Sequence, residues 1–147
     1  MKFGWINLFQ AVILLLMLLP NIIYALRNKS EANRCPNRAM NAAEQIGRYG
    51  CIILTVLPLG VGKFGFGSPE AILIYFFGNA VLLAAYYVVF SRYCRKKTIK
   101  RALLAAALPA GIFLLNGVLL RHWLLAASAI LFAVSHICVT SENAKAQ

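Results

Sequence analysis

Apolar residues run along this chain in long blocks, and the charges fall between them. Lys2 to Arg27 encloses 24 uncharged residues, Glu70 to Arg92 encloses 21, Arg101 to Arg121 encloses 19, and Arg121 to Glu142 encloses 20. A hydrocarbon core about 30 Å thick takes about 20 helical residues, so each block is long enough to cross it. Arg48 to Lys63 encloses only 14, short by about two turns; a spanning helix there must reach back to Ala43 or Glu44. The pattern predicts helical spans at about 4–26, 42–62, 70–91, 102–120 and 123–140. No alternation of period two occurs, which argues against a barrel, and lipid-exposed backbone must pair its polar groups within a helix. The expectation is an all-α polytopic membrane bundle of five transmembrane helices, one transmembrane domain over residues 1–147.

Local signals refine these elements. Arg121-His122-Trp123 reads as a hairpin tip, so the fourth and fifth spans are expected to be antiparallel neighbours. Ser68-Pro69-Glu70 reads as a helix start, with a capping hydroxyl, a proline in the first turn and an acid at the positive helix end. Gly60 to Gly67 is a glycine-rich turn; it lacks the strand and the Ser or Thr that a phosphate-cradling loop requires. Pro20, Pro58 and Pro109 each delete a helical hydrogen bond and are expected to kink their spans. Small residues recur every four positions at Ala39, Ala43 and Gly47, continuing through Gly50 and Cys51, and every seven at Ala71, Gly78 and Ala85. In lipid, where close packing drives association, these faces are the expected helix contacts.

Composition changes the picture in one direction. The chain is 61% apolar and 13% charged, against about 45–50% and about 25% in soluble domains, and 147 residues cannot bury that surface in a compact core. The net charge of +11 raises nucleic acid as a partner, but a topology-setting loop accounts for the same residues, and no nucleic acid is expected. Twelve basic residues fall on one side (Arg27, Lys29, Arg34, Arg38, Arg48, Lys145 and the six of 92–101) and three on the other: Lys2, Lys63 and Arg121. The positive-inside rule puts the N-terminus outside and the C-terminus in the cytosol, in the cell's inner membrane. Trp5 and Trp123 then meet the outer interface. Cys35, Cys51, Cys94 and Cys138 lie on the reducing side, where unpaired thiols persist. The first apolar run exceeds the about 7–15 residues of a signal-peptide core, and Arg27 and Lys29 follow at once, so it reads as a retained span.

Candidate chemistry concentrates in the short second block. Asn37, Asn41, Glu44 and Arg48 form a polar stripe, and the helix can begin near Pro36 with its first two turns outside the hydrocarbon. Glu44 and Arg48, spaced i, i+4, can pair. Two readings compete: Arg48 snorkels to the headgroups, or the pair belongs to a buried site, since intramembrane charge is costly and marks function. Asn21, Tyr49 and His136 fall at compatible depth, and with Glu44 and Arg48 they are the candidate ligand-binding residues. Asn79 and Asn116 are candidates for interhelical hydrogen bonds. His122 and His136 stand about 21 Å apart along a helix and have no histidine partners for haem; no Asp exists to build a carboxylate metal site. No catalytic residue, cofactor or metal is expected.

The leading functional expectation is transport of a small molecule or ion, or an accessory subunit of a transporter. Second comes a non-enzymatic interaction or membrane-organising protein. Third comes a membrane-embedded enzyme on a lipophilic substrate, using Glu44, Arg48, Tyr49 and His136. The expected partners are membrane lipids, with anionic headgroups at the 92–101 loop, and a second copy or a larger membrane protein.

Overall fold

A computed structural model describes residues 4–28, 33–57, 59 and 65–146. Five helices follow one another: α1 (Gly4–Arg27), α2 (Arg38–Val56), α3 (Pro69–Arg95), α4 (Ile99–Leu119) and α5 (Trp123–Lys145), with no strand among the described residues. Leu8–Arg27 of α1 and the whole of α3, α4 and α5 are long and apolar enough to cross a membrane. The expected all-helical membrane bundle is therefore what the chain forms. α2 is not among those four helices; its 19 residues include Arg38, Glu44 and Arg48. It begins four residues before the expected 42, and its last described helical residue is Val56. Pro58 and most of the glycine-rich turn (60–64) lie outside the described residues, as do Lys2, Lys29 and Lys63.

The starts of α2, α3 and α5 have a local chemical cause. Asn37 accepts from the Ala39 and Met40 backbone N–H groups at 3.1 and 3.2 Å, which satisfies donors that the first turn of α2 leaves free. Asn41 donates to the Cys35 carbonyl at 3.0 Å and accepts from Asn33 at 2.8 Å, folding the preceding segment against the helix. Ser68 accepts from the Ala71 N–H at 3.3 Å, with Pro69 in the first turn of α3. At the α4–α5 tip Arg121 takes φ 55°. His122 Nδ1 accepts from the Leu125 N–H at 3.2 Å. Burial pushes the His122 pKa below the usual imidazole range, which keeps that nitrogen an acceptor.

The packing order across the bundle is α2, α5, α4, α3, α1, and α1 returns to touch α2. Small residues make the contacts close. A Cβ at Gly47 would stand 2.7 Å from the Phe132 backbone nitrogen, and one at Gly117 would stand 2.7 Å from that of Ala126. These two glycines seat α2 and α4 on α5. Gly78 lies against Leu115, and Asn79 donates to Asn116 at 2.7 Å and to the Tyr75 carbonyl at 2.7 Å. The two asparagines, both buried, therefore join α3 to α4. α1 runs parallel to α3, with Phe9 against Tyr75 and Phe76 near one end and Tyr24 against Phe90 and Tyr93 near the other. Pro20 has no N–H to offer the Leu16 carbonyl, and the Tyr87 hydroxyl donates to that carbonyl at 2.6 Å.

The radial pattern is that of a protein solvated by lipid. Alanine, asparagine and serine side chains fill much of the interior, while Leu8, Leu15, Leu73, Phe77, Val81 and Ile130 face outward. Basic residues gather at one end, where the Arg34 N–H donates to Asn143 at 2.8 Å and Arg101 donates to the Arg92 and Lys96 carbonyls at 3.1 and 3.2 Å. The opposite end is closed by Tyr75 and Leu120, with Phe9 and Phe66 packed on them; there the Gly65 N–H donates to the Leu120 carbonyl at 3.2 Å.

Candidate functional site

α2 and α5 place three ionisable side chains together. Glu44 and Arg48 stand one turn apart on α2 and are joined by an ion pair at Glu44 Oε1. His136 on α5 brings Nδ1 to 2.9 Å from the same oxygen. Contact at Gly47 makes this possible: a side chain there would push α5 off α2 between Phe132 and Glu44. The Glu44 side chain is 5% exposed and that of Arg48 is 38% exposed. The carboxylate is thus the buried member and the guanidinium the accessible one. The Phe132 ring stacks on His136 with centroids 4.7 Å apart and planes 15° from parallel, which fixes the imidazole's tilt.

Beside this cluster lies a cavity of about 220 Å³ between α1, α2, α4 and α5. Its polar wall is Arg48, His136 and Asn21, and its apolar wall includes Met17, Ile52, Phe113 and Phe132. Asn21 also stands next to the Tyr86 hydroxyl, so α3 reaches the site through α1. Of the five residues expected to form a site, Arg48, His136 and Asn21 line the cavity and Glu44 holds two of its members in place. Tyr49 is elsewhere: it is 59% exposed and absent from the lining.

The residues not foreseen are the apolar ones. Pro109 and Phe113 of α4, Phe132 of α5, Met17 of α1 and Ile52 of α2 complete the wall. A signal for them does exist. Met17/Asn21, Arg48/Ile52, Pro109/Phe113 and Phe132/His136 are each i, i+4 pairs, so every contributing helix turns two successive members of one face toward the cavity. Three of these pairs couple a polar residue with an apolar one a single turn away.

Chemically, the arrangement offers hydrogen-bond donors at one end of an apolar chamber and a carboxylate held behind them. Among the described residues no group of three or more His, Cys, Asp and Glu side chains could hold a metal ion. Fold and site together define a helical-bundle membrane protein with an ionic cluster beside a partly open cavity between helices. No protein family model, curated protein or solved structure matches the chain.

Proposed function

We propose that the protein binds a small solute in this cavity, as a step in transport across the cytoplasmic membrane or in service of a transporter. The observation that carries the reading is the buried Glu44 carboxylate, held by Arg48 and His136, which line the cavity in front of it. Ionisable groups inside a membrane domain are costly and mark solute or ion pathways. The basic end of the bundle is read as the cytosolic end, because the sequence assigns twelve of the fifteen Lys and Arg residues to one side of the membrane. There the 92–101 segment meets anionic headgroups, at about 1 kcal/mol for each charge near the surface. The far end is filled by Tyr75, Leu120, Phe9 and Phe66. Passage therefore needs a rearrangement or the help of a second membrane protein, either another copy or a larger partner.

The test is the content of the purified protein. Solvent extraction and mass spectrometry of the detergent-solubilised chain should recover a small molecule. Arg48→Lys keeps the charge but loses the planar fork; it should cut retention about tenfold, equivalent to about 1.4 kcal/mol, with thermal stability unchanged. An empty preparation, together with an Arg48→Lys protein indistinguishable from the parent, would leave the cluster as packing and favour the interaction-protein reading.

A further inference from the structure

Taking the cavity as a solute site, on which this inference rests, we propose that its ligand is a small amphipathic anion of the short-chain carboxylate type, and that it binds together with one proton carried by His136. Glu44 Oε1 meets both Arg48 and His136 Nδ1. An ionised carboxylate only accepts hydrogen bonds. A neutral His136 must therefore keep its single proton on Nδ1, and its Nε2 is then a bare lone pair in the cavity wall. An anionic headgroup beside that lone pair is repelled. Adding a proton turns Nε2 into a donor without disturbing the bond to Glu44.

Charge balance leads to the same result. Glu44 and Arg48 cancel one another, so an anion entering alone would leave an uncompensated charge against the buried Glu44 carboxylate, which is disfavoured. A proton on His136 restores neutrality. Among the described residues, the groups facing His136 supply no other compensation. α2 brings Glu44 and Arg48, α1 brings Asn21, and α4 brings Pro109 and Phe113, which do not ionise.

The donor set fits an anion better than a cation. Arg48 uses Nη2 toward Glu44 and has five N–H donors in all, so several remain. Asn21 adds its amide from the α1 wall. A cation would meet the guanidinium, with the Glu44 carboxylate already shared between two partners. The apolar lining beyond this polar wall takes a short hydrocarbon tail.

The test uses the full chain in nanodiscs of zwitterionic lipid and three six-carbon probes: hexanoate, hexanol and hexylammonium. Titration calorimetry should rank hexanoate first. Linkage fixes the sign: a ligand that enters with a proton binds more tightly as pH falls and more weakly as it rises. Affinity should fall about tenfold per unit as pH rises from about 7 to 8, while the probe's carboxylate stays ionised. Heats in two buffers of different ionisation enthalpy should show one proton taken up per hexanoate. His136→Gln should bind hexanoate more weakly than the parent does at low pH, at one level across the pH range and with no proton uptake; should that variant not fold, the parent's slope and proton count decide. Hexylammonium or hexanol binding as tightly as hexanoate would overturn the anion. Hexanoate binding that is flat over this range would overturn the proton. If no probe binds but an endogenous molecule is retained, the ligand class is wrong and the site stands; if neither is found, the site reading itself falls.

Discussion

Glu44 has two basic neighbours on one oxygen, and the loss of each partner should cost differently. Arg48→Gln leaves a carboxylate only 4% exposed with His136 as its remaining basic neighbour. Leaving a buried charge without its partner costs about 3–5 kcal/mol, so the variant should unfold well below the parent at neutral pH. The deficit should narrow as pH falls from about 8 to about 5, because a proton taken up by the remaining Glu44–His136 pair cancels the unpaired charge. Glu44→Gln keeps a hydrogen-bonding carbonyl and leaves an arginine that is already more than a third exposed; its cost should stay within about 1 kcal/mol. Thermal unfolding in detergent across this pH range measures both. The Glu44–Arg48 pair was legible from its spacing alone. Helical geometry already set Tyr49 apart from it, because consecutive helical residues point about 100° apart; facing one partner turns the next side chain away. His136 could be matched by depth, whereas its bond to Glu44 depends on how two distant helices pack.

At the scale of the element, the glycines divide into those that set helix spacing and those that do not. Gly47→Val would drive a branched side chain into the Phe132 backbone, where a Cβ alone already comes within 2.7 Å. Overpacking of this kind costs about 1–3 kcal/mol, and it should separate α2 from α5 and break the Glu44–His136 contact. Gly111→Ala adds a methyl where nothing lies within 4 Å, and replacing a mid-helix glycine should stabilise by about 0.5–1 kcal/mol. Parallel melting curves check the opposite signs. The sequence pointed to these faces because small residues repeat at helical intervals. Gly47 and Gly50 do face α5, and Gly78 faces α4. The repeat did not identify which helix each face meets. Ala39, on the same stripe as Gly47, is exposed, so the stripe outruns the contact it marks.

The whole molecule was legible where charge marks the ends of helices and illegible where helices choose partners. Gaps between charges located α3, α4 and α5, and the three-residue tip at Arg121 made α4 and α5 antiparallel. The pairing of α1 with α3 has no such local cause. It is assembled from aromatic contacts between residues distant in the chain, Phe9 with Tyr75 and Phe76, and Tyr24 with Phe90 and Tyr93. Contacts of that range leave no periodic trace in either helix.

Between those two aromatic clusters, a single hydrogen bond ties α1 to α3. The Leu16 carbonyl, left without its helical donor by Pro20, is held by the Tyr87 hydroxyl. The rung missing from α1 is therefore lent by a different helix, and it can be withdrawn without breaking any bond inside α1 itself. Met17, Leu18 and Asn21, which wall the cavity, straddle this joint. Pro20 and this bond together make the middle of α1 depend on α3 for a hydrogen bond. Tyr87→Phe removes that bond and leaves the ring. Hydrogen–deuterium exchange should then quicken by about five- to tenfold around residues 16–24, the equivalent of one hydrogen bond of about 1 kcal/mol, while the α4–α5 hairpin keeps its protection. Unchanged exchange in α1 would show that its aromatic packing against α3 protects this stretch instead.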